Sequence, residues 1–484
     1  MSGKLAAKQR RQTAVDRNTA EDWIDRELAG CRFKDERLGK RFQVLLRQLA
    51  EGAGDTIPMA CQDWASTKAA YRFLSNDRVN EHEILAGHFQ ATRARFAACR
   101  ETVLVLHDTT ELTFHREDGR DIGYLTDSAV GTISRPRNHQ VCGILMHSSL
   151  AVTTDGLPLG IAAIKFWTRD KFKGTNRLKK HINPTRVPIE EKESIRWLRN
   201  LEQSTQLLAT PQRCVHIGDR EADIFELFCA AQQAETHFLF RTCVDRCAED
   251  GTHLVEELMQ ETSCKGLHRI DVRDKKGNVR QATLELRYRR IKVLPSRAKQ
   301  NRYQPIVMTV LYAQERYAPK GCEAIRWKLV TDLPVRSRAE AVEKLEWYAM
   351  RWKIEVFHYI MKSGCKAEDS KLRTAERLVN LMATFCIMSW RIFWMTMLNR
   401  SAEAVPPDIA LTTQEIEILD RLVIDKKSDL KSKRLADYLT KVAQLGGYLA
   451  RANDPPPGNM VMWRGLARLT DIELGFALAT ETCG

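Results

Sequence analysis

Thr102-Val103-Leu104-Val105-Leu106-His107-Asp108-Thr109-Thr110 is an apolar run that closes on an acid. Such a run suits a strand buried on both faces, because a half-exposed strand alternates apolar and polar side chains. A second run of the same kind, Cys214-Val215-His216-Ile217, ends in Gly218-Asp219. Between the two, Val141–Val152 and Leu157–Trp167 flank Thr154-Asp155-Gly156, a hairpin turn. Pro188 then opens a helical pattern running to about Leu208, with Ile189, Ile195, Leu198 and Leu201 set among charged residues.

Strand, hairpin, helix, strand is the order of an α/β protein with an RNase H-like core, a mixed sheet whose first and fourth strands are parallel neighbours. Asp108 and Asp219 are therefore expected side by side, one at each strand's end, where open α/β sheets carry their ligand sites. Residues 237–335 break the alternation of strand and helix. They read as strands at Phe238–Cys243, Ala282–Tyr288, Ile306–Ala313 and Trp327–Thr331. Between Arg269 and Arg302 stand 12 Lys or Arg against 3 Asp or Glu, so this β-rich insertion has a positive face. The whole reads as a helical N-terminal DNA-binding domain over 1–80, a catalytic domain over 81–373 interrupted at about 237–335, and a helical C-terminal domain over 374–484.

Ser337-Arg338-Ala339-Glu340 is a capping box, and it predicts one long helix ended by Gly364. At 100° per residue, Tyr348, Arg351, Glu355 and Lys362 fall within about 60° of arc. An ordinary amphipathic helix fills a stripe so placed with Leu and Ile; this one holds four polar side chains. Read alone, Arg351 and Glu355 make an i,i+4 ion pair worth a few tenths of a kcal/mol. With two strand-end aspartates upstream, Glu355 is instead a third member of an acidic set.

The chain of 484 residues has 76 Lys and Arg against 62 Asp and Glu, a net charge of +14, which favours a polyanionic partner. Twelve of those cations lie in the first fifty residues, against seven acids. There Arg37, Lys40 and Arg41 alternate with Leu38, Phe42 and Leu45 on an amphipathic helix with one positive face, the candidate DNA-reading surface. Thirteen cysteines in no regular pairing read as reduced thiols. His237, Cys243, Cys247 and His253 fit no established zinc spacing. The polar N-terminus resembles no secretory signal, and Leu378–Trp390, uncharged for 13 residues, is too short to span a bilayer. A cytoplasmic, nucleoid-associated protein with no membrane partner is expected.

Three carboxylates on a basic protein point to a divalent-metal site acting on nucleic acid. Phosphodiester cleavage needs an activated water or 3′-hydroxyl and a stabilised leaving oxygen, and two Mg²⁺ ions about 3.5–4 Å apart supply both. Mg²⁺ prefers oxygen ligands and Mn²⁺ can replace it. Asp108 is expected to bridge both ions, with Asp219 and Glu355 holding one each. Arg351 and Lys362 are then placed to grip phosphates, and Tyr348 to donate a hydrogen bond.

The motifs Asp108-Thr-Thr, Asp219-Arg-Glu-Ala-Asp-Ile and Tyr348-x2-Arg351-x3-Glu355-x6-Lys362 resemble those of DDE transposases of bacterial insertion sequences, in the IS-four branch with the Tyr-Arg-Glu-Lys signature. The resemblance includes Ala70-Tyr71-Arg72-Phe73 and Trp327 and is weakest over 1–30 and 400–484. It implies that Asp108, Asp219 and Glu355 are the metal-binding triad, and that Tyr348, Arg351 and Lys362 hold the DNA backbone near a flipped base. It implies that Trp327 stacks on that base and that Arg241 lies near the active site. It further implies a cut-and-paste reaction: hydrolysis at the inverted terminal repeats, then strand transfer into target DNA by a homodimeric synaptic complex. One departure is Val356, where the best-known member of the family carries a second acid after the catalytic glutamate. Two other readings remain: an RNase H-like nuclease or resolvase, and a catalytically silent DNA-binding inhibitor of transposition.

Overall fold

The computed structural model describes residues 23–52, 54–116, 120–127, 140–169, 187–248, 251–273, 279–319, 322–400, 405–423 and 434–482. The chain divides into two compact units, Met1–Ala70 with Met395–Gly484, and Tyr71–Trp394.

The first unit opens with α1 (Trp23–Leu28), α2 (Glu36–Glu51) and α3 (Ile57–Cys61), followed by the start of α4 (Trp64–Leu74). Asp35 caps α2 by accepting the Arg37 N–H, and Phe42, Leu45, Leu46 and Leu49 form its buried stripe. Asp63 does the same for α4 through the Ser66 N–H.

The second unit begins with α5 (Glu81–Ala98), capped by Asn80, and then enters the sheet. β1 (Val103–Phe114), β2 (Tyr124–Asp127), β3 (Gln140–Thr153) and β4 (Pro158–Trp167) are all antiparallel neighbours around β3. The β3–β4 turn closes on Gly156, whose φ of +86° is one a side chain rarely adopts. α6 (Ile195–Leu208) covers the sheet and leads into β5 (Cys214–Gly218), which pairs parallel to β1 as the order of elements requires. Val103–Leu106 of β1 are wholly buried, as are the β5 residues.

After α7 (Phe225–Gln233) comes β6 (His237–Arg241), parallel to β5. This strand was expected to open the insertion; it belongs to the core sheet. α8 (Val255–Glu261) precedes β7 (Leu267–Arg273), β8 (Val279–Val293), β9 (Ile306–Glu315) and β10 (Arg326–Thr331). These strands continue the same sheet. β10 lies antiparallel between β6 and β9, so the sheet runs β2-β3-β1-β5-β6-β10-β9-β8-β7, with β4 on β3. The chain is thus a mixed α/β protein with one large mixed sheet and helices at both ends.

Ser337 caps α9 (Arg338–Ala349) through the Glu340 N–H, while the Glu340 carboxylate accepts the Arg336 N–H instead of closing the box on Ser337. The single long helix expected here is three pieces. α9 stops at Ala349, α10 (Trp352–Tyr359) follows after the tight turn at Met350 and Arg351, and a π-helical turn occupies Ile360–Gly364. α11 (Ala375–Leu398) is long and apolar enough to cross a membrane by composition, but 89% of its apolar window is buried, as befits a core helix. α12 (Thr413–Leu422), α13 (Leu435–Leu445) and α14 (Asn459–Thr482) complete the first unit.

Candidate active site

β1 and β5 pair from Val103 and Cys214 as far as Leu106 and Ile217, then part. Asp108 and Asp219 each lie two residues beyond that last pair, Asp108 within β1 and Asp219 just past the end of β5. Asp219 follows β5 directly and caps a single turn at Arg220–Ala222, its Oδ1 accepting the Glu221 N–H at 2.9 Å. Gly218 permits the turn: a Cβ there would sit 2.5 Å from the Ala222 methyl and 2.8 Å from the Trp197 ring. Asp108 was expected at a strand's end and is not, since β1 continues to Phe114 against β3. What ends near Asp108 is the pairing with β5, and this leaves its carboxylate room. Asp223, in the same island as Asp219, has a structural task. Its buried carboxylate accepts the Thr242 hydroxyl and the Cys243 and Val244 N–H groups.

The third acid comes from α10. Arg351, in the turn before it, reaches the Glu355 Oε1 with Nη2 at 2.6 Å and the Asp108 Oδ1 with Nη1 at 4.0 Å. One guanidinium therefore lies between two carboxylates far apart in the sequence. Burial pulls Arg351 down, but Glu355, Tyr348 and Asp108 outweigh it and hold its pKa above the ordinary value. Glu221 stands beside both aspartates. Partial burial raises its carboxyl, and Asp219 and Asp108 add to the rise against the opposing Arg196, 2.5 Å away.

Tyr348 is buried beneath these groups. Burial raises its phenol; Arg351 and Arg241, the latter also a hydrogen-bond partner, oppose the rise, while Asp219 adds to it. Trp327 meets the Tyr348 ring edge-on, with centroids 5.6 Å apart. Lys362 lies at the rim, donating to the Glu111 carbonyl of β1 and standing 4.0 Å from Glu368. On the opposite side of β10 from Trp327, a cavity of about 330 Å³ opens among Arg220, Arg241, Arg326, Lys328 and Tyr312. Asp108, Asp219, Glu355, Tyr348, Arg351, Arg241 and Trp327 thus share one neighbourhood, with Lys362 at its edge.

Sequence reading passed over the histidines. His358, one turn after Glu355, places Nδ1 3.5 Å from the Asp108 Oδ2 and bonds the Ser148 hydroxyl through Nε2 at 2.8 Å. On the other face of β1, His107 bonds His216 and Ser149, both at 2.8 Å. His147 bonds the Thr109 hydroxyl, and Asn200 of α6 ties Ser149 to the His147 carbonyl. A detectable signal existed: Glu355-x-x-His358 is a one-turn spacing, and His107 adjoins the first acid.

Of the head residues, Arg37 and Lys40 are exposed on α2, whereas Arg41 turns inward. Its Nη2 donates to the Ser66 carbonyl at 2.6 Å, and burial lowers its pKa. The zinc reading gains nothing, because His237 is paired with Asp332 at 2.6 Å. Among the described residues, the twelve cysteines form no disulfide, and no three His, Cys, Asp or Glu side chains already surround a point that could hold a metal. The acidic donors nonetheless suit one. Asp108 and Glu355 already turn onto a shared cation, Arg351, and offer only the carboxylate oxygens that Mg²⁺ and Mn²⁺ favour.

A family model described as transposase DNA-binding matches residues 20–79. Over these residues the chain is similar to transposase DNA-binding domains. The described elements there are α1 to α4, with exposed Arg37 and Lys40 on α2. The match supports a transposase role for the chain and DNA as its partner.

Proposed function

We propose that this protein is a DDE-type, cut-and-paste transposase with an RNase H-like core, in the branch with the Tyr-Arg-Glu-Lys signature. It cuts DNA phosphodiesters at the ends of its element and joins the freed 3′-ends to target DNA, working as a homodimer in a synaptic complex. The observation that carries the reading is the meeting of Asp108 and Glu355 on one guanidinium, near Asp219, in a chain whose residues 20–79 are similar to transposase DNA-binding domains.

Asp108, Asp219 and Glu355 are the residues that would hold two Mg²⁺ or Mn²⁺ ions. When bound, such ions activate the attacking oxygen and stabilise the leaving one. Arg351 and Lys362 bind backbone phosphates, and Arg351 exchanges its carboxylate partners for phosphate as DNA enters. The Tyr348 hydroxyl and Arg241 orient the same strand. Trp327 offers an indole to an unstacked base, with about 1–3 kcal/mol available from stacking. Arg37 and Lys40 contribute to end binding from α2.

The test is incubation of the full chain with Mn²⁺ or Mg²⁺ and a DNA bearing the element's terminal repeats. Cleavage at the repeat ends and strand-transfer products are expected. Cleavage without strand transfer would support a nuclease or resolvase instead, and no cleavage by folded, DNA-bound protein would support a silent inhibitor.

A further inference from the structure

We propose that His358 is a positioning residue for Asp108: its imidazole, fixed by Ser148, holds Oδ2 of that carboxylate so that Oδ1 faces Arg351, the cation shared with Glu355. The inference rests on the proposed metal-dependent function, and it concerns a histidine that the signature residues do not include.

Three observations converge on it. Ser148 lies directly opposite Asp108 in the β1–β3 ladder, so the two side chains emerge on the same face of the sheet. The Ser148 Oγ is 2.8 Å from Nε2 of His358, and both residues are buried. Nδ1 of the same ring faces the Asp108 Oδ2 at 3.5 Å, about half an ångström beyond a closed N–H···O bond. The other oxygen, Oδ1, faces Arg351, which in turn holds Glu355. The two oxygens of Asp108 are therefore sorted, one to Arg351 and one to His358.

The tautomer follows from the partners. A carboxylate needs a donor, so a ring proton belongs on Nδ1, and in the neutral ring Nε2 then accepts. Ser148 can supply that hydroxyl proton. The opposite arrangement would set a nitrogen lone pair against a carboxylate. A carboxylate ligand held by such an outer partner keeps its oxygens in place for an ion; without it, the group rotates. Loss of an outer partner of this kind costs about 10–100-fold in metal affinity or activity.

Asparagine and glutamine separate positioning from packing. The amide nitrogen of Asn stands near the place of Nδ1, while that of Gln reaches toward Nε2 and Ser148. Mn²⁺ binding to the full chain with uncleavable end DNA, read by electron paramagnetic resonance, should weaken about 10–100-fold in His358→Gln. His358→Asn should stay close to wild type, and end-DNA affinity should be unchanged in both. Ser148→Ala, which keeps the imidazole, should weaken Mn²⁺ binding in the same direction but less. It serves as the test if His358→Gln does not fold.

Equal Mn²⁺ affinity in wild type, His358→Gln and Ser148→Ala, with Asp108→Asn impaired, would overturn the positioning role and leave the proposed function standing. Mn²⁺ binding unchanged in Asp108→Asn and Glu355→Gln as well would overturn the metal site itself.

Discussion

His107 and Asp108 are adjacent in the chain and face opposite sides of β1, and the two sides of that strand hold opposite chemistry. On one side His107, His147 and His216 are sealed beneath α6 and joined by Ser149, Thr109 and Asn200. Burial, then neighbouring histidines or Arg196, pushes His107 and His147 well below the ordinary value; burial, then His237, takes His216 down to about 3. On the other side Asp108 shares a cation with Glu355 and touches His358. A polar layer bonded within the protein stabilises the strand, although the buried His147 Nε2 has no hydrogen-bond partner. A polar layer arranged around an added cation performs chemistry. The comparison teaches that one strand can separate a layer serving stability from a layer arranged for chemistry.

The largest effects are expected on the acidic side. Asp108→Asn, Asp219→Asn and Glu355→Gln should each lower end cleavage by about 10³-fold or more while DNA binding, read by gel shift, survives. Loss of binding in all three would make these acids structural and erase the contrast.

The histidine side should respond to pH through stability. These histidines stay neutral when folded but titrate near 6.5 when the chain unfolds, so the unfolded state takes up more protons as pH falls. Their contribution is intact above about 6.5 and is lost progressively from there toward the depressed folded values, near 3 for His216. The expected loss is about 1.4 kcal/mol per pH unit for each histidine. Urea midpoints measured from pH 8 to pH 5 should fall accordingly, and His216→Gln should flatten the curve. A flat wild-type profile would mean that the layer is not neutral.

A smaller effect sharpens the division. Asn200→Ala removes the donor to both the His147 carbonyl and the Ser149 hydroxyl. It should cost about 1–3 kcal/mol in urea unfolding and leave the cleavage rate of the folded protein unchanged. A slowed rate at full stability would assign the neutral side a part in the reaction. Smallest of all, Lys362→Ala at the rim should reduce the dependence of log K on log salt by about 1 for end DNA. An unaltered slope would leave Lys362 to its bond with Glu111.

Much of this was legible in the chain. Val103–Leu106 and Cys214–Ile217 announce strands covered on both faces, and their parallel pairing, as the order of elements required, sets one acid two residues beyond the last pair on each chain segment. The rest was hidden for physical reasons. β7, Leu-His-Arg-Ile-Asp-Val-Arg, has too few apolar residues to stand out because it is an edge strand against β8. β6 looked like part of the insertion because β7 to β10 follow it, although only the turn at Arg220–Ala222 and α7 separate it from its parallel partner β5. Helical periodicity put Arg37 and Arg41 on one stripe, but only packing reveals that Arg41 turns to Ser66. His147 and His216 sat in apolar runs, where a lone imidazole carries no local signal; their meaning lies in cross-strand register.

The most direct measurement is anomalous diffraction from crystals of the full chain bound to uncleavable end DNA and soaked in Mn²⁺. The account predicts manganese peaks within coordination distance of the Asp108, Asp219 and Glu355 carboxylates, about 2.0–2.3 Å from their oxygens. Peaks elsewhere on a DNA-bound chain, or none at this triad, would contradict it.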